Sequence, residues 1–254
     1  MDRRIGAQLF TVREYTKTWE AFEKTLKQVS DIGYQAVQLS GIGPFKAEDI
    51  KAACDKYQLV PVCTHRSWDE YCNHLEESIA FHKTIGCDIA GLGAMPNLRG
   101  VFTMDDVIGY VEKMNEIHDR FQEHNISFAY HNHDVEFIKF NGKWVMDYLI
   151  ENGKFDFIVD VYWLAHAGVD PARFITRLGE RAKVIHFKDL KIVKTDKTHE
   201  MSEVMEGNLD WDSIIEASDK AGALWAMVEQ DVCQRNPFEC LKTSYDNLKS
   251  KGFY

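Results

Sequence analysis

The stretch Ile126–Phe137, with the sequence ISFAYHNHDVEF, changes abruptly from apolar and aromatic residues to histidines, an asparagine and acids. Apolar residues as far as Tyr130 are typical of a buried strand. His131, His133 and Glu136 are costly to bury unless they are paired or bound to a metal. The stretch therefore predicts a strand that leaves the core and opens into a polar site.

Three later apolar runs end in the same way: FIVD at Asp160, VIHFKD with His186 and Lys188, and VEQD with Glu229 and Asp231. Alternate residues of an extended strand point to one face, so His186 shares a face with Lys188, and Glu229 with Asp231. A mixture of carboxylates and imidazoles suits a divalent cation better than a thiol-loving one. We therefore expect one divalent metal ion, drawn from Mn²⁺, Zn²⁺, Co²⁺, Fe²⁺ or Mg²⁺.

Each of these residues also has a purely structural interpretation. Asp160 could cap the helix that follows it, and Lys188 could form a salt bridge with Asp189 or another acid at the rim. A single histidine or acid at a strand end is more often hydrogen-bonded to a neighbouring loop. Because so many ionisable groups collect at the ends of apolar runs, a shared metal or catalytic site is favoured.

The elements that would position these residues follow a repeating pattern. Short β-rich runs alternate with longer segments of helical periodicity, which is typical of βα units. About eight such runs are present, the number that closes a parallel barrel, so we predict an α/β fold with a single (β/α)8 TIM barrel over residues 1–254. The predicted strands are Ile5–Phe10, Ala36–Leu39, Val60–Thr64, Ile89–Leu92, Ile126–His131, Phe157–Val161, Val184–Phe187 and Ala226–Glu229.

The helices between them show apolar residues at helical spacing. Two connections are long, Gly93–Thr103 and Lys188–Asp210, and the second is predicted to be a lid. The predicted helices are Trp19–Ile32, Ala47–Tyr57, Asp69–Ile85, Met104–His124, Trp144–Glu151, Pro171–Leu178, Trp211–Ala221 and Phe238–Lys249.

The composition narrows the class of partner. Of the 254 residues 45% are hydrophobic, enough for a substantial core, and the net charge is −10. The negative charge disfavours nonspecific binding to nucleic acid or anionic membranes, and no apolar run reaches membrane length. The six cysteines form no CxxC pair. We therefore expect a cytoplasmic protein with reduced thiols and a small-molecule partner.

Five motifs carry a resemblance to a known family: YHNHDVEF (130–137), VDVYWLAHAGVDP (159–171), IHFKD (185–189), EGNLDW (206–211) and VEQD (228–231). They resemble the xylose isomerase-like TIM barrels, which include sugar phosphate isomerases/epimerases, inosose dehydratases and endonuclease IV. The resemblance covers nearly the whole chain. It implies one metal held at the ends of the last four strands, typically by glutamate, aspartate, histidine and glutamate, and Asp160, His186 and Glu229 match the last three.

The first ligand departs from that pattern. His131 stands where the family usually has glutamate, so His131 is the preferred fourth ligand, and His133 and Glu136 are the alternatives. The extra histidine of endonuclease IV, three residues after the aspartate, is absent because Trp163 stands there. This difference argues against a trinuclear zinc cluster and a nuclease.

The resemblance implies a metal-dependent sugar or sugar-phosphate isomerase/epimerase that removes a proton next to a carbonyl and forms an enediolate. The candidate catalytic residues are Glu229 as ligand and base, His133 as acid/base, Lys188 as electrostatic partner, and Glu136. The alternatives are a metal-dependent lyase, namely an inosose-type dehydratase or 3-keto-glycoside eliminase, and a non-catalytic sugar-binding subunit. The substrate would be a sugar or keto-polyol, and a homo-oligomer is common in the family. The predicted substrate contacts are Gln8, Gln38, His65, Trp163, Asp231, His199 and Glu206.

Overall fold

A computed structural model describes residues 1–97, 100, 102–193 and 198–254 of the chain. Eight strands form one sheet in which every pair is parallel, with the spatial order β3-β2-β1-β8-β7-β6-β5-β4. Helices alternate with the strands, so the predicted α/β TIM barrel is confirmed. Strands β1 to β8 are Ile5–Gln8, Ala36–Leu39, Val60–Thr64, Ile89–Leu92, Ser127–His131, Asp156–Asp160, Ala182–Phe187 and Trp225–Val228.

The barrel closes at a seam between β3 and β4. In the described part of the chain these strands share one isolated parallel bridge, between Arg66 and Leu92. The backbone N–H of Arg66 donates to the carbonyl of Gly91 at 3.1 Å. A Cβ atom at Gly91 would lie 2.1 Å from the backbone oxygen of Thr64, so this close approach requires glycine.

The helices lie close to their predicted positions, and several begin at a capping residue. Thr18 accepts a hydrogen bond from Ala21 N at the first helix, and Thr103 accepts one from Asp106 N at the fifth. Within the described residues no helix is both long and apolar enough to cross a membrane. Helices α1 to α10 are Trp19–Ile32, Ala47–Lys56, Trp68–Asn73, Leu75–Ile85, Met104–Gln122, Val145–Asn152, Val161–His166, Pro171–Leu178, Trp211–Ala221 and Pro237–Lys249.

Two predicted elements are corrected, and one helix was not predicted. The first strand ends at Gln8, whose side chain caps a 3-10 helix over Leu9–Tyr15. The helix expected over Asp69–Ile85 is two helices, because His74 has φ −135° between them. The short helix α7 was not predicted, and it begins directly after β6.

The connection after β7 is folded rather than irregular. Asp189–Ile192 and His199–Ser202 form an antiparallel hairpin. The buried Asp189 carboxylate accepts hydrogen bonds from four backbone amides and one indole, which ties the following segment to the barrel. These donors are Leu190 N, Met205 N, Gly207 N, Leu209 N and Trp211 Nε1. Residues 194–197 of this predicted lid, and 98–99 and 101 of the other long loop, lie outside the described residues, so the lid remains a prediction.

Side chains fill both layers of the fold. One cluster lies inside the barrel, and a larger one lies between the sheet and the helices. A filled interior leaves the strand ends as the place where polar groups can collect. The interior cluster consists of Ala36, Val62, Cys63, Ile89, Ala129, Ile158, Val184 and Met227.

Candidate active site

Four ionisable side chains meet at the C-terminal end of the barrel. His131 ends β5, Asp160 ends β6, His186 lies in β7, and Glu229 directly follows β8. Each offers one ligand atom, and these four atoms lie within 4.8 Å of one another. All four side chains are buried, so this cluster could hold a metal ion.

Asp160 uses its two carboxylate oxygens differently. Oδ1 accepts a hydrogen bond of 3.0 Å from Trp163 N and caps α7, whereas Oδ2 faces the cluster. Asn132 fixes the backbone at this point, since it accepts from Asp160 N at 2.9 Å and donates to Asp160 O at 3.3 Å. The cap and the cluster are therefore compatible, and the capping interaction orients the carboxylate. Sequence reasoning missed Asn132, although it lies inside the quoted motif.

His186 is oriented by Gln38. Its Nε2–H donates to Gln38 Oε1 at 2.8 Å. Its Nδ1 faces Glu229 Oε2 at 2.8 Å and Asp160 Oδ2 at 3.8 Å. Burial opposes a charge on this ring, but Glu229 and Asp160 outweigh burial and raise the pKa of His186 to about 9. Nδ1 thus lies between two carboxylates, and its proton marks a position that a cation could take.

Both ring nitrogens of His131 face oxygen acceptors. Burial lowers the pKa of His131 to about 4, so the ring is neutral at pH 7 and carries one proton. Its Nδ1 lies 3.2 Å from Gly93 O, and its Nε2 lies 3.3 Å from Asp160 Oδ2. With the proton on Nδ1, the Nε2 lone pair and the Asp160 carboxylate would face each other across a position that a shared cation could take, so the donor set is suited to a metal ion.

Lys188 lies beside the cluster and contacts three acids. Its Nζ is 2.8 Å from Asp231 Oδ2, 3.2 Å from Asp160 Oδ2 and 3.5 Å from Glu229 Oε2. Burial opposes its charge, but these acids hold the pKa of Lys188 above its ordinary value. The pKa of Asp231 is raised to about 6 by burial and by the charge of Glu229. Lys188 therefore pairs with two acids of the cluster and with Asp231, and not with Asp189.

Glu136 is fully buried but lies outside the four-residue cluster. Its carboxylate accepts from Tyr130 OH at 2.6 Å and from His133 N at 2.8 Å. Its Oε1 is 3.9 Å from His133 Nδ1. Of the three residues considered for the fourth ligand, the structure brings His131 into the cluster, and Glu136 supports the turn that carries His133.

A cavity of about 260 Å³ opens above the cluster. This volume is just below the range of about 300–1,000 Å³ for small-molecule sites. The predicted residues His65, His133, Trp163, Lys188 and Asp231 line it together with His131 and Glu229. Phe10, Ser40, Gly93 and Ala94 also line it, and no polar motif in the sequence singled them out.

The other predicted substrate contacts do not line this cavity. Gln8 and Gln38 are fully buried, Gln8 accepts from Phe10 N, and Gln38 contacts His186. His199 is exposed, and its ring lies 5.8 Å from that of His166. Glu206 is exposed and accepts a hydrogen bond from Asn247 Nδ2. Gln8 and Gln38 are thus buried beneath the cavity lining, and His199 and Glu206 lie on the surface outside the cavity.

The protein is a parallel eight-stranded TIM barrel with polar side chains at the C-terminal ends of its strands. TIM-barrel enzymes have their active sites at this end of the barrel. The chain belongs to the xylose isomerase-like TIM barrel family, whose model matches residues 26–249. The resemblance identified in the sequence is therefore confirmed. A search of the curated proteins finds no match.

Several solved structures share the fold. A sugar phosphate isomerase/epimerase from Parabacteroides distasonis is 20% identical with a TM-score of 0.81, covering 97% of this chain and 93% of its own. A probable 3-DHS dehydratase from Bacillus anthracis is 13% identical with a TM-score of 0.74, covering 97% and 98%. An L-ribulose 3-epimerase is 12% identical with a TM-score of 0.73, covering 98% and 96%. At these identities the likeness shows the fold.

Proposed function

We propose that this protein is a metal-dependent sugar or sugar-phosphate isomerase/epimerase that acts by proton abstraction next to a carbonyl. The observation that carries the proposal is the convergence of ligand atoms from His131, Asp160, His186 and Glu229 within 4.8 Å of one another, next to a small cavity. The family membership and the epimerases among similar structures support it.

The proposed ligand atoms are His131 Nε2, Asp160 Oδ2, His186 Nδ1 and a Glu229 carboxylate oxygen. A divalent ion bound there would act as a Lewis acid that polarises the substrate carbonyl and acidifies the neighbouring C–H. Gln38 holds His186 in the tautomer that leaves Nδ1 available, and a proton on His131 Nδ1, facing Gly93 O, would leave His131 Nε2 available.

The remaining side chains supply charge, proton transfer and shape. Lys188 Nζ lines the cavity and would stabilise the negative charge of an enediolate oxygen. Glu229 is the proposed base, and His133, at the cavity wall, is the proposed acid/base that returns the proton. The Trp163 ring lines the same cavity and offers an apolar surface to the C–H face of a sugar.

A lyase is the second candidate. Removal of the same proton can be followed by loss of a leaving group from the next carbon, which needs a proton donor nearby. Asp231 provides such a group, because it lines the cavity, contacts Lys188 and is not part of the proposed ligand set. A probable dehydratase among the similar structures supports this alternative.

Incubation of the metal-loaded protein with a panel of keto sugars and keto-polyols in D₂O tests the proposal. An isomerase/epimerase gives a deuterated isomer without loss of water or aglycone, whereas an unsaturated product identifies the lyase. Phosphorylated and unphosphorylated members of each pair separate sugar from sugar-phosphate substrates. Glu229→Gln should abolish deuterium incorporation, and unchanged incorporation in that variant would refute the assignment of the base.

A further inference from the structure

A second cavity adjoins the proposed reaction cavity at the same end of the barrel. Its volume is about 400 Å³, larger than the 260 Å³ of the reaction cavity, and His65 lines both. Ser40 lines the reaction cavity and the next residue, Gly41, lines the second one. The two cavities are therefore neighbours across His65 and the Ser40–Gly41 peptide. We call the second one the outer cavity.

The outer cavity is built from the loops that follow β2 and β3. Strand ends Leu39 and Thr64 contribute to it, and α2 and α4 contribute Ile50 and Phe81. Because these elements belong to the barrel itself, the cavity is part of the scaffold. Its apolar wall consists of Leu39, Ile42, Pro44, Phe45, Ile50 and Phe81.

The polar groups of the outer cavity are concentrated on its β3 side. The Arg66 guanidinium lies 4.2 Å from the Phe81 ring centroid and forms an ion pair with Glu70. Two buried nitrogen atoms, Arg66 Nε and His65 Nε2, have no hydrogen-bond partner among the described residues. A buried polar nitrogen without a partner is costly, so a ligand oxygen that reached either atom after a small side-chain movement would be stabilising.

The charge of the outer cavity limits what it can bind. Arg66 is the one cation and Glu70 the one carboxylate among its lining residues, and they neutralise each other. A phosphate would have to compete with Glu70 for the guanidinium. A neutral ring, such as a sugar, carries oxygen acceptors for the Arg66 guanidinium. It also has an apolar face that can pack against the Phe45 and Phe81 side chains. The cavity thus favours a neutral ring over an anion.

We infer that the outer cavity binds a neutral ring that is attached by a glycosidic bond to the sugar in the reaction cavity. The substrate is then a two-ring glycoside, with its linkage next to His65. This inference rests on the proposed function, because the reacting sugar must occupy the reaction cavity. It adds the substrate class, and it assigns Arg66, Phe81 and Ile42 to binding of the second ring.

Calorimetric titration of the metal-loaded protein tests the inference with matched ligands. The panel contains the methyl glycosides of glucose, galactose and xylose, the corresponding phenyl glycosides and disaccharides, and glucose 1-phosphate. For at least one sugar, a two-ring ligand should bind at least about tenfold more tightly than the methyl glycoside. Tighter binding of disaccharides identifies a sugar as the second ring, and tighter binding of phenyl glycosides identifies an aromatic ring. Glucose 1-phosphate should gain no affinity.

Two variants locate the effect. Ile42→Trp fills the outer cavity and should remove the preference for two rings while retaining methyl glycoside binding. Ile138→Trp is the control, because Ile138 is 47% exposed and lines neither cavity. Glu70→Gln keeps a residue suited to the Ser67 capping box but leaves the Arg66 charge unpaired, so binding of glucose 1-phosphate should increase.

The outcomes separate this inference from the proposed function. Equal binding of one-ring and two-ring ligands, a preference for glucose 1-phosphate in the wild type, or a two-ring preference that survives Ile42→Trp overturns the outer cavity assignment alone. Failure of every ligand in the panel to bind at millimolar concentration also overturns the outer cavity assignment, and the D₂O experiment with keto sugars then tests the proposed function separately. Methyl glycoside binding that is retained in Ile42→Trp supports binding of the first sugar in the reaction cavity, independently of the affinity for the second ring.

Discussion

At the scale of single residues, three side chains of the site each use one polar atom to bind the surrounding protein and another to face the cluster. Asp160 directs Oδ1 to the α7 cap and Oδ2 to the cluster. His186 and His131 each direct one ring nitrogen to an oxygen outside the cluster and the other into it. These partners reduce the rotation that ligand binding would otherwise have to restrict, so they should contribute to metal affinity.

Removal of metal should lower stability, because an ion that binds only the folded state stabilises it by mass action. A concentration of 100 Kd corresponds to about 2.7 kcal/mol. We expect a chelator to lower the melting temperature of the wild type and added metal to restore it. In Asp160→Asn the response to metal should disappear, since the amide can still cap α7 but lacks the charge. Asp156→Asn, at the other end of β6, is the control and should retain the response.

Gln38→Leu should weaken metal binding by about 10–100-fold, because His186 Nε2–H then has no acceptor and its tautomer is no longer fixed. Metal titration followed by calorimetry measures the change. Gln8→Leu is the matched control, since Gln8 is equally buried but its side chain accepts a hydrogen bond from Phe10 N. Equal losses in the two variants would show that burial of an amide, not orientation of His186, is responsible.

At the scale of elements, the end of β7 and the two residues after it connect three parts of the structure within four residues. His186 contributes to the cluster, Lys188 lines the cavity, and Asp189 binds the segment that leads to α9. Strand β3 and helix α4 are joined by a different buried histidine: Thr64 Oγ1 contacts His82 Nε2 at 2.8 Å, and His82 Nδ1 contacts Ser78 O at 2.7 Å. Both connections have measurable consequences for stability.

Asp189→Ala should lower the free energy of unfolding by about 3–5 kcal/mol, because it leaves buried donors without an acceptor. Amide hydrogen exchange should accelerate at Met205, Gly207 and Leu209, whose N–H groups lose their partner. Glu206→Ala, an exposed change in the same segment, should stay within about 0.5 kcal/mol. Unchanged exchange in Asp189→Ala would contradict the anchoring role.

The buried His82 should make stability fall in mild acid. Burial lowers the pKa of His82 to about 4 in the folded protein, whereas the ordinary pKa of a histidine is 6.5. Between these pH values the unfolded state binds more protons, so the free energy of unfolding falls as the pH drops, by up to about 3 kcal/mol. Denaturant titrations at pH 7, 6, 5 and 4.5 measure this slope. His82→Gln should flatten it, and an identical slope would assign the acid sensitivity to other groups.

At the scale of the whole molecule, the sequence was sufficient where the signal is local. Eight apolar runs became the barrel strands, because β-strands covered on both faces have continuous apolar sequences. The polar residues of the site followed from strand ends, since parallel strands bring their C-terminal ends together, and the family resemblance selected the four residues of the cluster among them. Two kinds of feature escaped. Helix α7 has six residues, too few for a clear period. Gln38 and His186 are 148 residues apart, so no local pattern connects them.

Arg66 takes part in both the seam and the outer cavity. Its backbone N–H closes the barrel against Gly91 O, and its side chain lines the outer cavity. We therefore expect local opening of the barrel at this seam to be thermodynamically linked to ligand binding in the outer cavity. A ligand that holds the Arg66 side chain stabilises the closed seam and slows exchange of its amide hydrogen. By reciprocity, a substitution that loosens the seam weakens the ligand by the same free energy.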